Sequence, residues 1–343
     1  MRRSAVIAAS LGIALTLSAC AAEEPVEDVA EETTTETEET ETEETPTGRD
    51  AWPDTLVLTL TPSQEAGGLI ETAEPLGALL EERLGVEIEA IVPSDYAGVI
   101  AALASGQADI GGGLGPQQMV LANDEAGADL ILQVQRYGNY SYVTQWLTND
   151  PDTYCDDEPV ADEDGYLFCN GVENAEQGPI AEDKLSLLSG ETISFVDATS
   201  TSGYLVPSLA LLAAGVDPEG DIDSFFAGGH DASVQAVYDG DATVGVSYND
   251  ARADIAETSP DVGEKVVVWG WSDQIPNDGF AVRGDLPEDL KEAISEAMID
   301  IMGTEEGAAV LDELYNIEGL RPVQDGEYEI IRQLSTQLGV ELG

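Results

Sequence analysis

Apolar and polar positions after residue 55 alternate between short strand-like runs and stretches with helical spacing. Runs of apolar and β-branched residues bounded by turn residues predict strands, and leucines or alanines repeating every three to four positions predict helices. The predicted strands are 56–60, 86–92 and 109–113, and the predicted helices between them are 74–84 and 96–104. Strands that alternate with helices indicate α/β lobes, each a mixed, mainly parallel sheet flanked by helices.

One pattern of this kind occurs twice. Residues 99–111 and residues 233–245 each contain an apolar helical stretch, a glycine stop at Gly106 or Gly240, and a strand that ends near polar residues. The separation is much longer than the period of a solenoid, which is about 20–50 residues. We therefore expect two similarly built lobes.

The first fifty residues predict an export signal and a spacer. Two arginines precede an apolar stretch too short to span a bilayer, and this stretch ends in Leu17-Ser-Ala-Cys20, which resembles a bacterial lipobox. We therefore expect residues 1–19 to be a lipoprotein signal peptide and Cys20 to carry the lipid. Residues 20–50, rich in Glu and Thr, predict a disordered acidic tether. The location that follows is extracytoplasmic, with a lipid anchor on the cell membrane.

Charge and composition exclude several classes of protein. The chain has 69 acidic and 12 basic residues, a net charge of −57, one His and three Cys. Such acidity repels nucleic acids and anionic lipid headgroups. A single His and so few Cys leave little for a zinc site, and we expect no cofactor. Because no nucleophile or metal-hydrolase motif is present, an extracytoplasmic phosphoesterase is the least favoured alternative.

The acidic segment of residues 149–177 contains two of the cysteines, Cys155 and Cys169. In an exported protein such a pair predicts a disulfide that closes a short loop. Carboxylates in the same segment leave a calcium site open as an alternative, although the spacing of an EF-hand is absent.

The most informative motif is a strand-to-helix turn that carries three hydroxyls, Ser200, Thr201 and Ser202, before Gly203. Hydroxyls and free backbone N–H groups at the start of a helix bind anions, and we expect Gly203 to let a ligand approach the backbone. An ordinary helix cap is the structural alternative, but it needs only one hydroxyl. The turn therefore predicts an oxyanion site.

Three further turns lie at corresponding places in the chain. His230 follows two glycines at a predicted helix start, where we expect an exposed ring, neutral or charged, that donates to an anion. Asp250 follows the predicted strand 244–247, and Asp278 precedes the predicted strand 279–283. Carboxylates in an anion site suit a ligand that itself carries a donor, either a P–OH group or an ammonium group, and the sequence permits both. A turn or cap residue is the alternative for each Asp.

These motifs resemble one family. The segments that carry the resemblance are Thr199-Ser-Thr-Ser-Gly203-Tyr204, Gly229-His230, Asn249-Asp250, Ile275-Pro276-Asn277-Asp278 and Pro93-Ser-Asp-Tyr96. Together they are similar to the substrate-binding proteins of phosphate, phosphite and phosphonate ABC transporters. The resemblance implies a two-lobed type II periplasmic-binding-protein fold with two hinge crossings and a ligand in the cleft between the lobes.

The resemblance also implies roles for individual residues. Ser200, Thr201, Ser202 and His230 would hold the phosphorus oxyanion, Tyr96 and Tyr140 would line and close the cleft, with Tyr142 a rival for Tyr140, and Asp250 and Asp278 would meet a donor on the ligand. None of these residues is Lys or Arg. We therefore expect anion capture by hydroxyls, backbone N–H groups and one His.

The boundaries follow from the same comparison. Lobe 1 is expected to contain residues 51–143 and 272–343, and lobe 2 residues 144–271, with crossings near 140–147 and 266–275. The predicted function is a monomeric, non-enzymatic, lipid-anchored binding protein that passes its ligand to the membrane subunits of an ABC importer. A sensory lipoprotein that feeds a signalling partner shares these features and stays an open alternative.

Overall fold

Two mixed sheets organise the part of the chain that a computed structural model describes, residues 48–64, 66–175 and 177–339. The strands are β1 (Thr55–Leu60), β2 (Glu87–Ile91), β3 (Ile110–Leu114), β4 (Asp129–Gln135), β5 (Ser141–Tyr142), β6 (Thr144–Thr148), β7 (Val160–Ala161), β8 (Leu167–Phe168), β9 (Thr192–Phe195), β10 (Asp223–Phe226), β11 (Val244–Tyr248), β12 (Val267–Trp271), β13 (Ile275–Pro276), β14 (Gly279–Val282) and β15 (Gly319–Pro322). The helices are α1 (Ala66–Leu84), α2 (Tyr96–Ser105), α3 (Pro116–Asp124), α4 (Pro151–Tyr154), α5 (Val206–Ala213), α6 (His230–Asp239), α7 (Val262–Lys265), α8 (Glu288–Met302), α9 (Glu305–Tyr315) and α10 (Glu329–Leu338). Shorter helical turns lie at Gly48–Ala51, Val172–Asn174, Glu182–Leu188, Thr201–Leu205 and Ala253–Ile255.

The first sheet has the strand order β15-β4-β14-β3-β1-β2. β1 is parallel to β2 and β3, whereas β14 returns from the second half of the chain and pairs antiparallel with β3 and β4. Helices α1, α8 and α9 bury their apolar sides on one face, and α2, α3 and α10 cover the other. The strands are apolar on both sides because both faces are covered.

The second sheet has the order β10-β9-β11-β6-β12-β8-β7. β9 is parallel to β10 and β11, and β6 enters from the first half of the chain and lies antiparallel between β11 and β12. Core residues of α4 and α5 lie on one face, and those of α6 and α7 on the other. The expectation of α/β lobes, each a sheet between helices, is confirmed.

The chain passes between the two sheets twice. After β4 it runs through β5 into β6, and after β12 it returns through β13 into β14. β5 and β13 pair with each other in a short antiparallel ribbon, with Ile275 opposite Tyr142 and Pro276 opposite Ser141. This ribbon connects the two sheets at one side of the cleft.

Two local sequence patterns differ in how well they predict the structure. The repeated helix–glycine–strand pattern folds as α2 with β3 and as α6 with β11, and Gly106 and Gly240 close their helices with φ of 70° and 81°. In contrast, α1 begins at Ala66, eight residues before the predicted start, and Pro75 lies inside it. Pro75 faces solvent, where water can hydrogen bond the carbonyl that its missing N–H leaves free.

The cysteine prediction is confirmed. Cys155 and Cys169 form a disulfide with Cα atoms 5.6 Å apart. Within the described residues, no group of three or more His, Cys, Asp or Glu side chains is arranged to hold a metal ion. None of the described helices has the length and apolar character needed to cross a membrane. The predicted leader, Cys20 and the tether up to residue 47 lie outside the described residues.

Candidate functional site

A small cavity lies between the two sheets, at the ends of strands from both. The first sheet and its connections contribute Thr61, Ser63, Gln64, Tyr96, Gly113, Gly115, Arg136, Tyr137, Tyr142, Asp278, Tyr315 and Asn316, and the second contributes Ser200, Thr201, Ser202, His230, Tyr248 and Asn249. The space inside is about 40 Å³. Since roughly 10–15 Å³ holds one water molecule, the cavity fits a ligand of only a few heavy atoms.

The hydroxyl-rich turn forms the lobe 2 wall of this cavity. Ser200 caps the turn, because its Oγ accepts a hydrogen bond from the N–H of Gly203 at 3.1 Å. The chain then makes a single wide turn over Thr201–Leu205, so the regular helix α5 starts only at Val206. Ser200, Thr201 and Ser202 are all buried and all line the cavity.

Gly203 has a different role from the one predicted. A Cβ at this position would lie 2.4 Å from the Cβ of Val196, which directly follows β9. The glycine is therefore required by close packing inside lobe 2, and it does not line the cavity. The expectation that it opens the backbone to a ligand was wrong.

Direct hydrogen bonds join the two lobes beside the cavity. The N–H of Gln117 at the start of α3 donates to Thr201 Oγ1 at 2.7 Å, and the N–H of His230 donates to the carbonyl of Ser63 at 2.9 Å. Gln117, Thr201 and His230 are all buried. The two sheets are therefore bonded to each other beside the cavity, and Thr201 both makes one of these bonds and faces the cavity.

His230 begins α6 and is buried, not exposed as predicted, and its backbone N–H bonds to the carbonyl of Ser63 after β1. Its Nδ1 lies 2.8 Å from Ser247 Oγ, and its ring packs 4.5 Å from the ring of Tyr248. Burial, and after it the positive charge of Arg136, lower the pKa of His230 to about 3. The imidazole is therefore neutral at physiological pH.

A buried ion pair lies in the same cavity. Arg136, just after β4, places one guanidinium nitrogen 2.9 Å from Asp278 Oδ2, and its Nε donates to the carbonyl of Tyr315 at 2.6 Å. The exposed fractions of the two side chains are 15% and 16%. Burial raises the pKa of Asp278, and Arg136 opposes that rise.

This pair corrects the expectation that the site lacks Lys and Arg. The sequence feature that could have identified Arg136 as a site residue is its position directly after an apolar strand, at the same sheet edge as the other turns. A guanidinium beside an anion site adds a strong donor.

Tyrosine side chains form much of the remaining wall. The Tyr142 hydroxyl bonds to the side chains of Ser202 and Thr201, and burial raises the pKa of Tyr142, so the phenol stays protonated. The Tyr96 hydroxyl is buried and has no hydrogen-bond partner among the described residues. A buried hydroxyl without a partner is costly, so this donor is available to a molecule that enters the cavity. Tyr137, Tyr248 and Tyr315 line the cavity as well and were not predicted.

Two of the predicted site residues lie elsewhere. The ring of Tyr140 packs 3.9 Å from the guanidinium of Arg321, and Tyr142 takes the place at the cavity. Asp250 turns away from the cavity to Arg252, which is fully buried and 2.6 Å from Asp250 Oδ2, while the preceding Asn249 faces the cavity. Asn249 and Asp250 lie in the turn that follows β11, where one side chain faces the cavity and the next faces Arg252. The structure thus brings together Tyr96, Ser200, Thr201, Ser202, His230 and Asp278.

Comparison with known proteins agrees with this architecture. Residues 58–328 match the family model of the periplasmic substrate-binding protein of phosphonate ABC transporters. The Phosphate-import protein PhnD of Mycolicibacterium smegmatis is 28% identical over 319 residues, covering 86% of this chain and 89% of that protein. A phosphonates-binding periplasmic protein of Escherichia coli is 26% identical over 260 residues, covering 75% and 68%.

Solved structures show the same fold. PhnD1 of Prochlorococcus marinus, in complex with methylphosphonate, has a TM-score of 0.69 at 17% identity and covers 84% of this chain and 99% of its own. A binding-protein component of a phosphonate transporter from Pseudomonas aeruginosa has a TM-score of 0.67 at 20% identity, with 84% and 89% covered. The protein is therefore a binding protein and not an enzyme, and it belongs to the family of periplasmic substrate-binding proteins of phosphonate ABC transporters.

Proposed function

We propose that this protein captures a small phosphorus oxyanion, a phosphonate, phosphite or phosphate, and delivers it to the membrane subunits of an ABC importer. The observation that carries the proposal is the buried hydroxyl turn of Ser200, Thr201 and Ser202, which lines a cavity of about 40 Å³ together with His230 and Tyr96. The Tyr96 hydroxyl has no hydrogen-bond partner among the described residues. Each of these groups can donate a hydrogen bond to an oxyanion. The relatives named above, which import phosphate or bind phosphonates, support the same class of ligand.

The electrostatics of the cavity suit a compact anion. Arg136 and Asp278 balance each other, and His230 is neutral, so the ligand is held mainly by oriented hydrogen bonds in a buried site. Because Nδ1 of His230 bonds to Ser247, Nε2 remains to meet the ligand. Hydrogen bonds to charged groups in such dry sites are stronger than those between neutral groups.

The binding test is isothermal titration calorimetry with phosphate, phosphite, methylphosphonate and sulfate. We expect one-to-one binding of at least one phosphorus oxyanion and weaker binding of sulfate. Ser202→Ala should weaken the binding by about tenfold or more through the loss of one hydrogen bond to a charged group. Ser224→Ala, on the exposed strand β10, is the matched control. Absence of heat with all three phosphorus compounds would refute the ligand class.

We also propose that ligand capture depends on motion of two lobes about the β5–β13 ribbon. Lobe 1 would be residues 51–143 with 272–343, and lobe 2 residues 144–271. The bond between Gln117 and Thr201 and the bond between His230 and Ser63 support this assignment, since only a closed form can make them. Small-angle scattering should show a smaller radius of gyration when ligand is added to the monomer; an unchanged radius would contradict a hinge motion.

Lipid attachment at Cys20 is the last element of the proposal. The sequence Leu17-Ser-Ala-Cys20 after a short apolar stretch supports it. In bacterial cells fed a labelled fatty acid, the wild-type chain should incorporate label and Cys20→Ser should not. Label on the Cys20→Ser variant would refute the assignment.

A further inference from the structure

A ligand ammonium group would need a carboxylate partner inside the cavity. Among the described residues that line it, Asp278 is the one carboxylate, and it lies 2.9 Å from the Arg136 guanidinium. The pair is formally neutral. An ammonium that entered beside it would be a second cation close to Arg136, and the described lining residues offer no second carboxylate to balance it.

Carboxylates just outside the cavity have other partners. Asp250 forms a forked pair with Arg252, in which Nε and a terminal nitrogen both contact the carboxylate. Asp254 bonds to the hydroxyl of Tyr248, and Asp197 accepts from the backbone and hydroxyl of Thr199. None of these three carboxylates lines the cavity.

The residue at the cavity wall beside Asp250 is a neutral amide. Asn249 lines the cavity, and its Oδ1 accepts a hydrogen bond from the N–H of Val143 at 3.3 Å. An amide oxygen in this position has no net charge to offer an ammonium. A carboxylate at position 249 would carry that negative charge, and it would lie at the same place in the cavity wall as the amide does.

From these contacts we infer that the cavity accepts phosphorus oxyanions without an ammonium group, such as inorganic phosphate or a simple alkylphosphonate, and rejects aminoalkylphosphonate zwitterions by charge. The inference rests on the proposed function, since it concerns the ligand of that same site. It resolves the choice that the sequence leaves open between a P–OH donor and an ammonium donor.

Calorimetry with two ligands of equal size tests the inference. 2-Aminoethylphosphonate and n-propylphosphonate differ in a terminal ammonium or methyl group. We expect the wild-type protein to bind 2-aminoethylphosphonate at least about tenfold more weakly than n-propylphosphonate, because a buried cation without a partner is strongly disfavoured. A difference in affinity of less than about tenfold would overturn the inference. Absence of binding of both ligands would overturn it as well.

Asn249→Asp provides the gain-of-function test. A carboxylate at the wall should shift the ratio of the two affinities toward 2-aminoethylphosphonate by at least about tenfold. Asn174→Asp adds the same charge on an exposed 3-10 turn and should leave the ratio unchanged. An unchanged ratio in a folded Asn249→Asp variant would also overturn the inference. Failure of phosphate, phosphite and methylphosphonate alike to bind the wild-type protein would instead refute the proposed function, so the two failures are distinguishable.

Discussion

Replacing Thr201 by valine tests whether the bond between the lobes contributes to ligand affinity. Valine keeps the shape of threonine and removes the hydroxyl that accepts from the Gln117 N–H at 2.7 Å. Gln117 is fully buried and Thr201 is 2% exposed, so the N–H would have no water to replace the lost partner while the lobes are closed. In an open form it would be hydrated. The penalty therefore falls on the closed form.

The size of the penalty follows from the burial. Leaving a buried N–H without an acceptor costs about 1–3 kcal/mol. If ligand binding is coupled to closure as proposed, the same free energy weakens binding by about 5- to 150-fold. Loss of the donor that Thr201 offers to the ligand adds to this effect. The free energy of unfolding of the ligand-free protein should change less, since the open form does not use the bond.

Calorimetry and small-angle scattering measure both consequences. Thr201→Ser is the matched control, because it keeps Oγ and should bind within about threefold of the wild-type protein, which is less than the loss of one buried hydrogen bond. We expect Thr201→Val to bind weakly and to be less compact at equal ligand concentration. Wild-type affinity in Thr201→Val, or an equal loss in Thr201→Ser, would refute the role of the hydroxyl.

Three other substitutions test the remaining polar contacts. Asp250→Asn should lower the free energy of unfolding by about 3 kcal/mol or more, as seen in chemical denaturation, because Arg252 is fully buried and would lose its counter-charge. Asp254→Asn should flatten the pH dependence of the free energy of unfolding. Burial raises the pKa of Asp254 to about 7, so the folded wild-type chain keeps a proton that the unfolded chain loses from about pH 4. The stability of the wild-type protein therefore falls as the pH rises from about 4 to about 7. Asp278→Asn should narrow the preference for phosphate over sulfate by about tenfold in competition calorimetry, because the uncompensated charge of Arg136 attracts any oxyanion.

Each of these expectations has a contradicting result. Loss of ligand binding with unchanged stability in Asp250→Asn would show that this carboxylate meets the ligand, and Asp223→Asn on the exposed strand β10 controls for the charge. If the free energy of unfolding changes by the same amount between about pH 5 and about pH 7.5 in the wild-type protein and in Asp254→Asn, the Asp254 carboxyl does not titrate in this range. An unchanged preference for phosphate over sulfate in Asp278→Asn would mean that Asp278 does not select the ligand that carries a P–OH donor.

The large negative charge of the chain does not conflict with anion binding. Surface carboxylates more than about 8 Å from the cavity are largely screened at physiological ionic strength. Inside the cavity, the balance is set by Arg136, Asp278 and the neutral His230. The surface carboxylates therefore affect the solubility of the protein, whereas the groups inside the cavity determine which ligand binds.

Local sequence was enough to locate much of the site. The hydroxyl turn at Ser200, the helix start at His230 and the disulfide of Cys155 with Cys169 are each encoded by a few neighbouring residues. Helix caps, glycine stops and strand ends depend on backbone geometry over one turn, so the residue types at a few neighbouring positions predict them. The alternation of strands and helices determined the fold class for the same reason.

Tertiary packing selects the side chains that line the cavity. Tyr142 and not Tyr140, and Asn249 and not Asp250, line the cavity, and Arg136 reaches Asp278 across more than a hundred residues of sequence. The direction of a side chain at the end of a strand depends on pairing register, which is set by distant strands. The neutral state of His230 likewise required its burial by lobe 1. Local sequence located the hydroxyl turn and the His230 turn that line the cavity, whereas the packing of the two sheets sets the charge inside it, because charge in a buried site depends on contacts that no local pattern encodes.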